Sequence, residues 1–300
     1  MSWTYFLILA TTLTVGICHG PGESPRFNVG WNRFLDDEPT EFHNLPLWWE
    51  RDTLVPAWLR GSYIKNGPSQ KRFGTEDRWY AQYMDSWAKL NKITFNGDGV
   101  VLYSGRMIET KNYKRCAEAG KIVPHVTVGK LAPEDWSVIE MTQGFMQGYD
   151  NTNVIFWRLG PEDPANASYV ASTDAPLVHI MDPESLGVLE EHMPIPPFYW
   201  GGISMMSSSH WRRELGTDNS INYHQEVGLH GLDFVLYRYR NSVFDREEIG
   251  RFAADFVSFI HMISVTPNYA VVVMYPVTMN ATAMPGENSD RSNWIICPHK

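Results

Sequence analysis

Ten histidines are the residues of this 300-residue chain best suited to chemistry, because carboxylate clusters are few and no Cys-x-x-Cys pair is present. They stand singly along the chain, where a histidine is usually an ordinary core or surface residue. Where several converge at one end of neighbouring strands, neutral imidazole nitrogens form a site that suits Fe(II), copper or zinc. His210 follows a run of small residues, and His261 lies in an apolar stretch where its ring needs hydrogen-bond partners. We interpret both as candidate metal ligands, His261 being the better one.

Three other functions lack the sequence context they need. The serine triplet 207–209 stands beside His210, but a hydrolase nucleophile lies between glycines at a strand-to-helix turn. Gly97 and Gly99 lie in a predicted hairpin turn, whereas a phosphate-binding glycine loop opens a helix. The net charge of -9 argues against nucleic acid as a partner, since binding its phosphates requires a basic face. We therefore expect no nucleic-acid binding.

The elements predicted to position the histidines are short strands separated by turns. Asn-Gly-Pro at 66–68, Asn-Gly-Asp-Gly at 96–99 and Asp-Pro-Glu-Ser at 182–185 are typical turn sequences. Only residues 245–254 are predicted to form a helix. Many strands with almost no helix indicate an all-β sandwich, barrel or propeller. The predicted strands are residues 59–65, 88–95, 100–109, 153–158, 169–172, 177–181, 187–191, 221–227, 234–240, 256–264 and 269–275.

The amino-terminal part divides into two segments before the β domain. Residues 3–18 are apolar and uncharged, and small residues follow them, so residues 1–20 are predicted to be a cleaved signal peptide. An uncleaved anchor is the alternative, although the apolar run is short for a membrane span. Residues 21–55 are predicted to form an extended arm, and residues 56–300 the β domain. A signal peptide implies a secreted or lumenal protein.

A secreted protein can carry N-linked glycans and disulfide bonds. Asn166 and Asn280 each begin an Asn-x-Ser/Thr tripeptide, the acceptor for N-glycosylation. Removal of the signal peptide leaves Cys116 and Cys297. These two cysteines either pair as a disulfide or stay as separate buried thiols, and the sequence leaves both options open.

Several motifs, taken in order, resemble the carotenoid cleavage oxygenases, which include β-carotene oxygenases, insect carotenoid isomerooxygenases and the retinoid isomerase of the pigment epithelium. The amino-terminal match is VPAWLRGS at 55–62 with NGP at 66–68. The most specific match is FIHMISVTPNY at 259–269, which is similar to the family segment His-x-Phe-x-x-Thr-Pro-Asn-Tyr. The other matching segments are residues 80–95, 106–115, 150–153 and 173–186.

The resemblance implies a seven-bladed β-propeller, incomplete in this chain, with a helical cap over one face. It also implies Fe(II) on the propeller axis, held by four histidines without haem, and O2 as co-substrate. The substrate implied is an apolar conjugated molecule, a carotenoid or a retinoid, whose double bond is cleaved. Contact with a membrane surface is an open possibility for an enzyme of such substrates.

The resemblance also assigns site residues. His261 matches the second iron histidine of the family. His210 matches the first, although the family has His-Pro where this chain has His210 followed by tryptophan, and His224 and His230 are the alternatives. Asp174 falls at the position of a glutamate that hydrogen-bonds a ligand histidine. Because aspartate is one methylene shorter, we expect it to reach the imidazole only through water or a shifted strand.

Departures from the family pattern support a second hypothesis. Gln82, Ser86 and Asp174 replace a histidine, a glycine and a glutamate of the family, and the third and fourth iron histidines belong to the family's second half. We expect an iron oxygenase of carotenoids or apocarotenoids that is truncated at Lys300. The alternative is a non-catalytic secreted propeller that binds a lipid or a protein partner. A propeller lactonase is disfavoured, because no set of carboxylate and asparagine ligands is evident.

Overall fold

The computed structural model describes residues 37–47, 55–74, 78–192, 198–199, 202–228, 231–240, 242–254 and 258–274. The helices and strands of these described residues lie in Glu38–Lys300, the second of two compact units. Within the described residues, short 3-10 turns occur at Tyr83–Asp85 and Pro164–Asn166, and helices are formed by α1 (Lys111–Ala119) and α2 (Val138–Gln147). The strands are β1 (Phe42–Leu47), β2 (Arg60–Gln70), β3 (Trp79–Tyr80), β4 (Trp87–Asn96), β5 (Val101–Met107), β6 (Leu131–Ala132), β7 (Ile155–Leu159), β8 (Ser168–Ser172), β9 (Val178–Met181), β10 (Val188–His192), β11 (Phe198–Tyr199), β12 (Gly202–Ser207), β13 (Arg212–Arg213), β14 (Ser220–Gly228), β15 (Gly231–Tyr239), β16 (Arg246–Ala254), β17 (Ser264–Val265) and β18 (Ala270–Val271).

Three antiparallel sheets contain most of these strands. The first has the order β1-β5-β4-β2, and the second has the order β10-β9-β8-β7. The third has the order β11-β12-β14-β15-β16, with β13 paired to β14. Antiparallel sheets of about four sequential strands are the blades of β-propellers. The mainly β prediction is confirmed, while the number of seven blades and the incompleteness of the propeller stay predictions.

Buried apolar side chains pack each sheet against the next. Leu90 of the first sheet lies in one cluster with Met181 of the second. Val170 of the second sheet lies in another cluster with Val235 of the third. A further cluster joins the third sheet to Ile260 and Ile263, the residues on either side of the segment that carries His261. The hydrophobic effect therefore fixes the position of that segment against β14 and β15.

The helix predicted at 245–254 is wrong, because this segment is strand β16. It pairs with β15 along its whole length, although its charged residues have good helix propensity. Opposite charges meet across the pair, since Arg238 lies 3.3 Å from Glu247. The rings of Phe234 and Phe252 stack with centroids 5.2 Å apart. These cross-strand contacts outweigh the local preference for a helix.

Two helices were not predicted, although both have recognisable caps. In α1 the Thr110 hydroxyl accepts the Tyr113 N–H, and Gly120 ends the helix at a φ of 63°. In α2 Ser137 and Glu140 form a reciprocal capping box. Caps of this kind are the sequence signals that could have identified both helices.

Strand β1 lies inside the segment predicted to be an extended arm. It pairs with β5, and the buried Lys89 ammonium donates to the carbonyls of Glu38 and Thr40 at 2.9 and 2.5 Å. Nine predicted strands, from 59–65 to 234–240, overlap observed strands. The described part of 256–264 forms only single bridges before β17, so the long strand predicted there is wrong.

The predicted signal peptide lies outside the described residues, and the localisation and the domain limits stay predictions. Asn280, His230 and Cys297 lie outside the described residues as well. Asn166 is exposed at the end of a 3-10 turn. Cys116 is buried in the apolar cluster beneath α1, and burial raises the pKa of its thiol to about 11. No helix in the described part of the chain has the length and apolar character needed to cross a membrane.

Two buried histidines predict a loss of stability in acid. Burial lowers the pKa of His125 to about 4 and that of His224 to about 3, from an ordinary value of 6.5. Both rings are neutral in the folded protein, so the unfolded chain binds protons first as the pH falls below 6.5. At pH 5 we expect the free energy of unfolding to be lower by about 2 kcal/mol per histidine than at pH 7.5. Urea denaturation at the two pH values measures this loss.

The variant His125→Gln isolates one histidine, because glutamine carries no titrating proton. Its stability is expected to fall less between pH 7.5 and pH 5 than that of the wild type. His43→Gln, a change at an exposed histidine, is the control and is expected to keep the full pH dependence. An identical pH dependence in His125→Gln and the wild type would contradict the prediction.

Candidate metal centre

Three turns or loops place the predicted site residues together. Asp174 lies two residues after β8, His210 lies between β12 and β13, and His261 lies between β16 and β17. A parallel bridge joins His210 to Met262, so the two histidine-bearing segments lie side by side. The backbone N–H of Ser207 donates to the Asp174 carbonyl at 3.2 Å, which holds the turn after β8 against the end of β12. The structure thus brings all three predicted residues into one site.

The two imidazoles face each other through their Nε2 atoms. These atoms lie 2.9 Å apart, and the ring planes are inclined by 78° with centroids 4.4 Å apart. Imidazole nitrogens bind a divalent metal such as zinc at about 2.0–2.1 Å, so two of them at right angles on one ion lie about 3 Å apart. The spacing of His210 and His261 therefore fits two ligands of one metal ion.

Asp174 fixes the tautomer of His261. Its Oδ2 lies 2.9 Å from His261 Nδ1, and its Oδ1 accepts the Ser209 N–H at 2.9 Å. A carboxylate only accepts hydrogen bonds, so the proton of the neutral His261 ring lies on Nδ1 and the Nε2 lone pair faces His210. The contact between Asp174 and the ring is direct, so the expected water-mediated contact is wrong, and the alternative of a shifted strand stays a prediction.

Neighbouring groups shift the pKa values of the two histidines in opposite directions. The hydrogen bond that His261 donates to the Asp174 carboxylate raises the pKa of His261. Burial lowers the pKa of His210, and the adjacent His261 lowers it further. His210 therefore stays neutral more readily, and a neutral imidazole is the form that binds a metal.

Trp211 stands directly after His210, where the family resemblance predicts a proline. Its side chain is buried in the cluster between the second and third sheets, with its ring centroid 4.5 Å from that of Tyr239. Its backbone N–H donates to the Ser209 carbonyl at 3.3 Å, a hydrogen bond that proline cannot make. The tryptophan therefore anchors the turn that carries His210 through its ring and its N–H.

His224, an alternative ligand, belongs to the core. It is fully buried on β14, and its Nε2 lies 2.9 Å from the Tyr239 hydroxyl. A residue of β14 that does contact the site is Asn222, whose amide donates to the Ser208 carbonyl at 2.8 Å. Sequence reasoning missed Asn222 as a site residue, since nothing local to β14 indicates its partner.

The matching segment 150–153 has a structural role. The Asn151 amide donates to the carbonyls of Asp85 and Ser86 at 3.1 and 2.9 Å. The Asp85 carboxylate accepts the backbone N–H groups of Val128 and Gly129, both at 2.7 Å. These hydrogen bonds tie loops to the residues that lead into the first sheet, which gives the Asp85 carboxylate a structural role.

The histidine pair is the candidate for metal ligation in this chain. In the described part of the chain, no group of three or more His, Cys, Asp or Glu side chains is arranged to hold a metal ion. Asp174 contacts His261 through Nδ1, on the side of the ring away from the facing Nε2 atoms. Two neutral ligands hold a metal loosely, so a stable centre requires further ligands.

The chain is similar in sequence to known proteins. The chain is 23% identical over 267 residues to the carotenoid isomerooxygenase of Galleria mellonella, covering 85% of this chain and 48% of that protein. It is 22% identical to the beta,beta-carotene 15,15'-dioxygenase of Gallus gallus, covering 86% of this chain and 50% of that protein. The chain therefore spans about half the length of these curated relatives.

The fold is similar to that of a solved apocarotenoid oxygenase structure. A variant of the Synechocystis apocarotenoid oxygenase superposes with a TM-score of 0.64 at 19% identity, covering 88% of this chain and 52% of that one. At this identity the likeness concerns the fold alone. The sequence model of the retinal pigment epithelial membrane protein family matches residues 50–298. This match covers most of the chain, and the chain therefore belongs to that family.

Proposed function

We propose that the protein is a non-haem Fe(II)-dependent oxygenase that cleaves conjugated C=C bonds of carotenoids or apocarotenoids with O2. This chain contributes two of the metal histidines, His210 and His261. The observation that carries the proposal is the pair of Nε2 atoms 2.9 Å apart, with one tautomer set by Asp174. The names of the relatives, which are oxygenases of carotenoids and apocarotenoids, support the substrate class.

The residues of this chain would act by holding the iron and fixing its ligands. Bound Fe(II) would supply the chemistry that joins O2 to a conjugated double bond. His210 and His261 would bind it through Nε2, and Asp174 keeps the His261 proton on Nδ1, away from the metal side of the ring. Ser209 holds the Asp174 carboxylate in place through its backbone N–H. The remaining ligands of a four-histidine centre are part of the proposal for the whole protein.

Reconstitution with iron tests the proposal directly. The purified full-length protein, prepared without a histidine tag, is loaded anaerobically with Fe(II), and the iron bound per protein is measured. It is then given an apocarotenoid and 18O2, and loss of the polyene absorbance and labelled carbonyl products are expected. Absence of bound iron contradicts the proposal. Tight binding of the polyene without iron or cleavage would instead indicate the non-catalytic binding protein.

Peripheral contact with a membrane is a second part of the proposal, and α2 supports it. Its apolar residues Val138, Ile139, Phe145 and Met146 are 66–76% exposed and share one face of the helix. On the opposite side, Gly144 lies so close to the backbone of His125 that a Cβ would come within 2.9 Å of the His125 carbonyl oxygen. An apolar helix face held outward in this way fits the interface of a bilayer.

The double variant Phe145→Glu, Met146→Glu is expected to bind phosphatidylcholine vesicles at least about 10-fold more weakly. The reason is that burial of each side chain in the interface contributes about 1.5–3 kcal/mol. Uncharged vesicles suit a protein with a net charge of -9 better than anionic ones. Co-sedimentation measures the binding, and Leu189→Glu, at an exposed apolar residue of β10, is the control. Equal binding by all three proteins would contradict the role of α2.

A further inference from the structure

The serine triplet 207–209 contains one hydroxyl that touches both histidine-bearing segments. Ser208 is completely buried. Its Oγ donates to the His261 carbonyl at 2.6 Å and accepts the His210 backbone N–H at 3.0 Å. The hydroxyl therefore links the two candidate ligands directly.

The two neighbouring serines make different contacts. The Ser207 hydroxyl donates to the Ala175 carbonyl at 3.0 Å and touches neither histidine segment. Ser209 takes part through its backbone N–H, which donates to Asp174. The carbonyl of Ser208 itself is held by the Asn222 amide at 2.8 Å. The hydrogen bond from Asn222 therefore holds the Ser208 backbone against β14. The Ser208 hydroxyl in turn holds the backbones of His210 and His261.

A hydroxyl suits this place because it donates one hydrogen bond and accepts another at the same time. Alanine would offer neither, and the hydrogen bonds that join the two histidine backbones through this side chain would be lost. The bridge between His210 and Met262 and the hydrogen bond from Arg212 to the Ile263 carbonyl would remain. The Nε2 atoms of the two rings must stay about 3 Å apart to share one ion. A small separation of the two segments would change that distance.

We propose that Ser208 is a positioning residue, whose buried hydroxyl sets the spacing of His210 and His261 for one metal ion. The inference rests on the proposed metal site and deepens it. Ser208 acts through the backbones of the two histidines and does not contact the metal. Its removal is expected to weaken metal binding and to distort the ligand geometry while the fold remains.

Cobalt(II) is the probe, because its visible spectrum reports ligand geometry independently of catalysis. The full-length protein without a histidine tag is titrated anaerobically with Co(II), as wild type, Ser208→Ala, Ser208→Thr and Ser207→Ala. Thermal unfolding followed by circular dichroism shows which variants are folded. We expect Ser208→Ala to bind Co(II) about 10-fold more weakly with a shifted spectrum, an effect typical of lost groups that orient ligands. Ser208→Thr, which keeps a hydroxyl, and Ser207→Ala are expected to match the wild type.

The outcomes separate this inference from the proposed function. If the wild type binds Co(II) and His261→Ala does not, but Ser208→Ala matches the wild type in affinity and spectrum, only the role of Ser208 is overturned. If the wild type itself binds no Co(II), the proposed metal site fails. If Ser208→Ala does not fold, the folded Ser208→Thr decides. Wild-type affinity and spectrum in Ser208→Thr support the role, and a 10-fold loss overturns it.

Discussion

Replacing His261 with alanine is expected to lower the affinity of the full-length protein for Fe(II) or Co(II) by more than about 100-fold. Residues that only orient a ligand cost about 10–100-fold when removed, and loss of the ligand itself costs more. The change also leaves the Asp174 carboxylate without the ring that it fixes. Oxygenase activity is expected to be lost together with the metal. Anaerobic titration and metal analysis of the purified protein measure the effect.

Two further variants make the result on His261 specific. His210→Ala is expected to cause a comparable loss, because its Nε2 faces the same point as that of His261. His43→Ala changes an exposed histidine of β1 and is expected to bind metal like the wild type. If His261→Ala binds metal as tightly as His43→Ala does, the pair is a hydrogen-bonded contact without a metal role. The proposed function would then lose the observation that carries it.

The sequence predicts the parts of the fold that depend on neighbouring residues, namely the turns and the strands that they separate. Turn sequences such as the one at 96–99 mark where strands must end, and the observed strands β4 and β5 lie on either side of it. Segment 246–254 shows the limit of local coding, since its charges favour a helix when considered alone. Its partners Arg238 and Phe234 lie on β15, and only the paired strand makes these contacts available.

The candidate site is predictable in its residue types but not in its contacts. His261 stands in a specific motif, and His210 is marked by its order in the family pattern. Their contact joins residues 51 positions apart, and that between Asp174 and His261 joins residues 87 positions apart. Such distances in sequence are closed by the packing of sheets, which no local pattern reports. The contact of the Ser208 hydroxyl could not be predicted for the same reason, because its partner, the His261 carbonyl, is 53 positions away.

Changing Asp174 to asparagine is expected to weaken metal binding by about 10–100-fold, although the two side chains have nearly the same shape. The Ser209 N–H is a fixed donor and requires an acceptor at Oδ1. The amide oxygen of asparagine takes that place, which turns its NH2 group toward His261 Nδ1. Two donors cannot face each other, so His261 must give up its Nδ1 proton and carry it on Nε2 instead. A protonated Nε2 has no lone pair for a metal.

The opposite orientation of the asparagine amide also brings two hydrogen-bond donors together. With its oxygen toward His261, the NH2 group meets the Ser209 N–H, and donor again faces donor. Asp174→Asn is therefore expected to be at least as damaging as Asp174→Ala, which leaves the tautomer of His261 free. Asp174→Glu keeps a carboxylate, and Asp182→Asn changes a carboxylate of the hairpin turn after β9 that accepts hydrogen bonds from Ser185.

Co(II) titration of these four variants tests the tautomer argument. An order in which Asp174→Glu and Asp182→Asn bind like the wild type, Asp174→Ala binds more weakly and Asp174→Asn binds most weakly or equally weakly would support it. A steric role for Asp174 predicts a different order, because asparagine would then preserve binding better than alanine. Wild-type affinity in Asp174→Asn would show that the His261 proton is not controlled from this carboxylate, even though the contact at 2.9 Å remains.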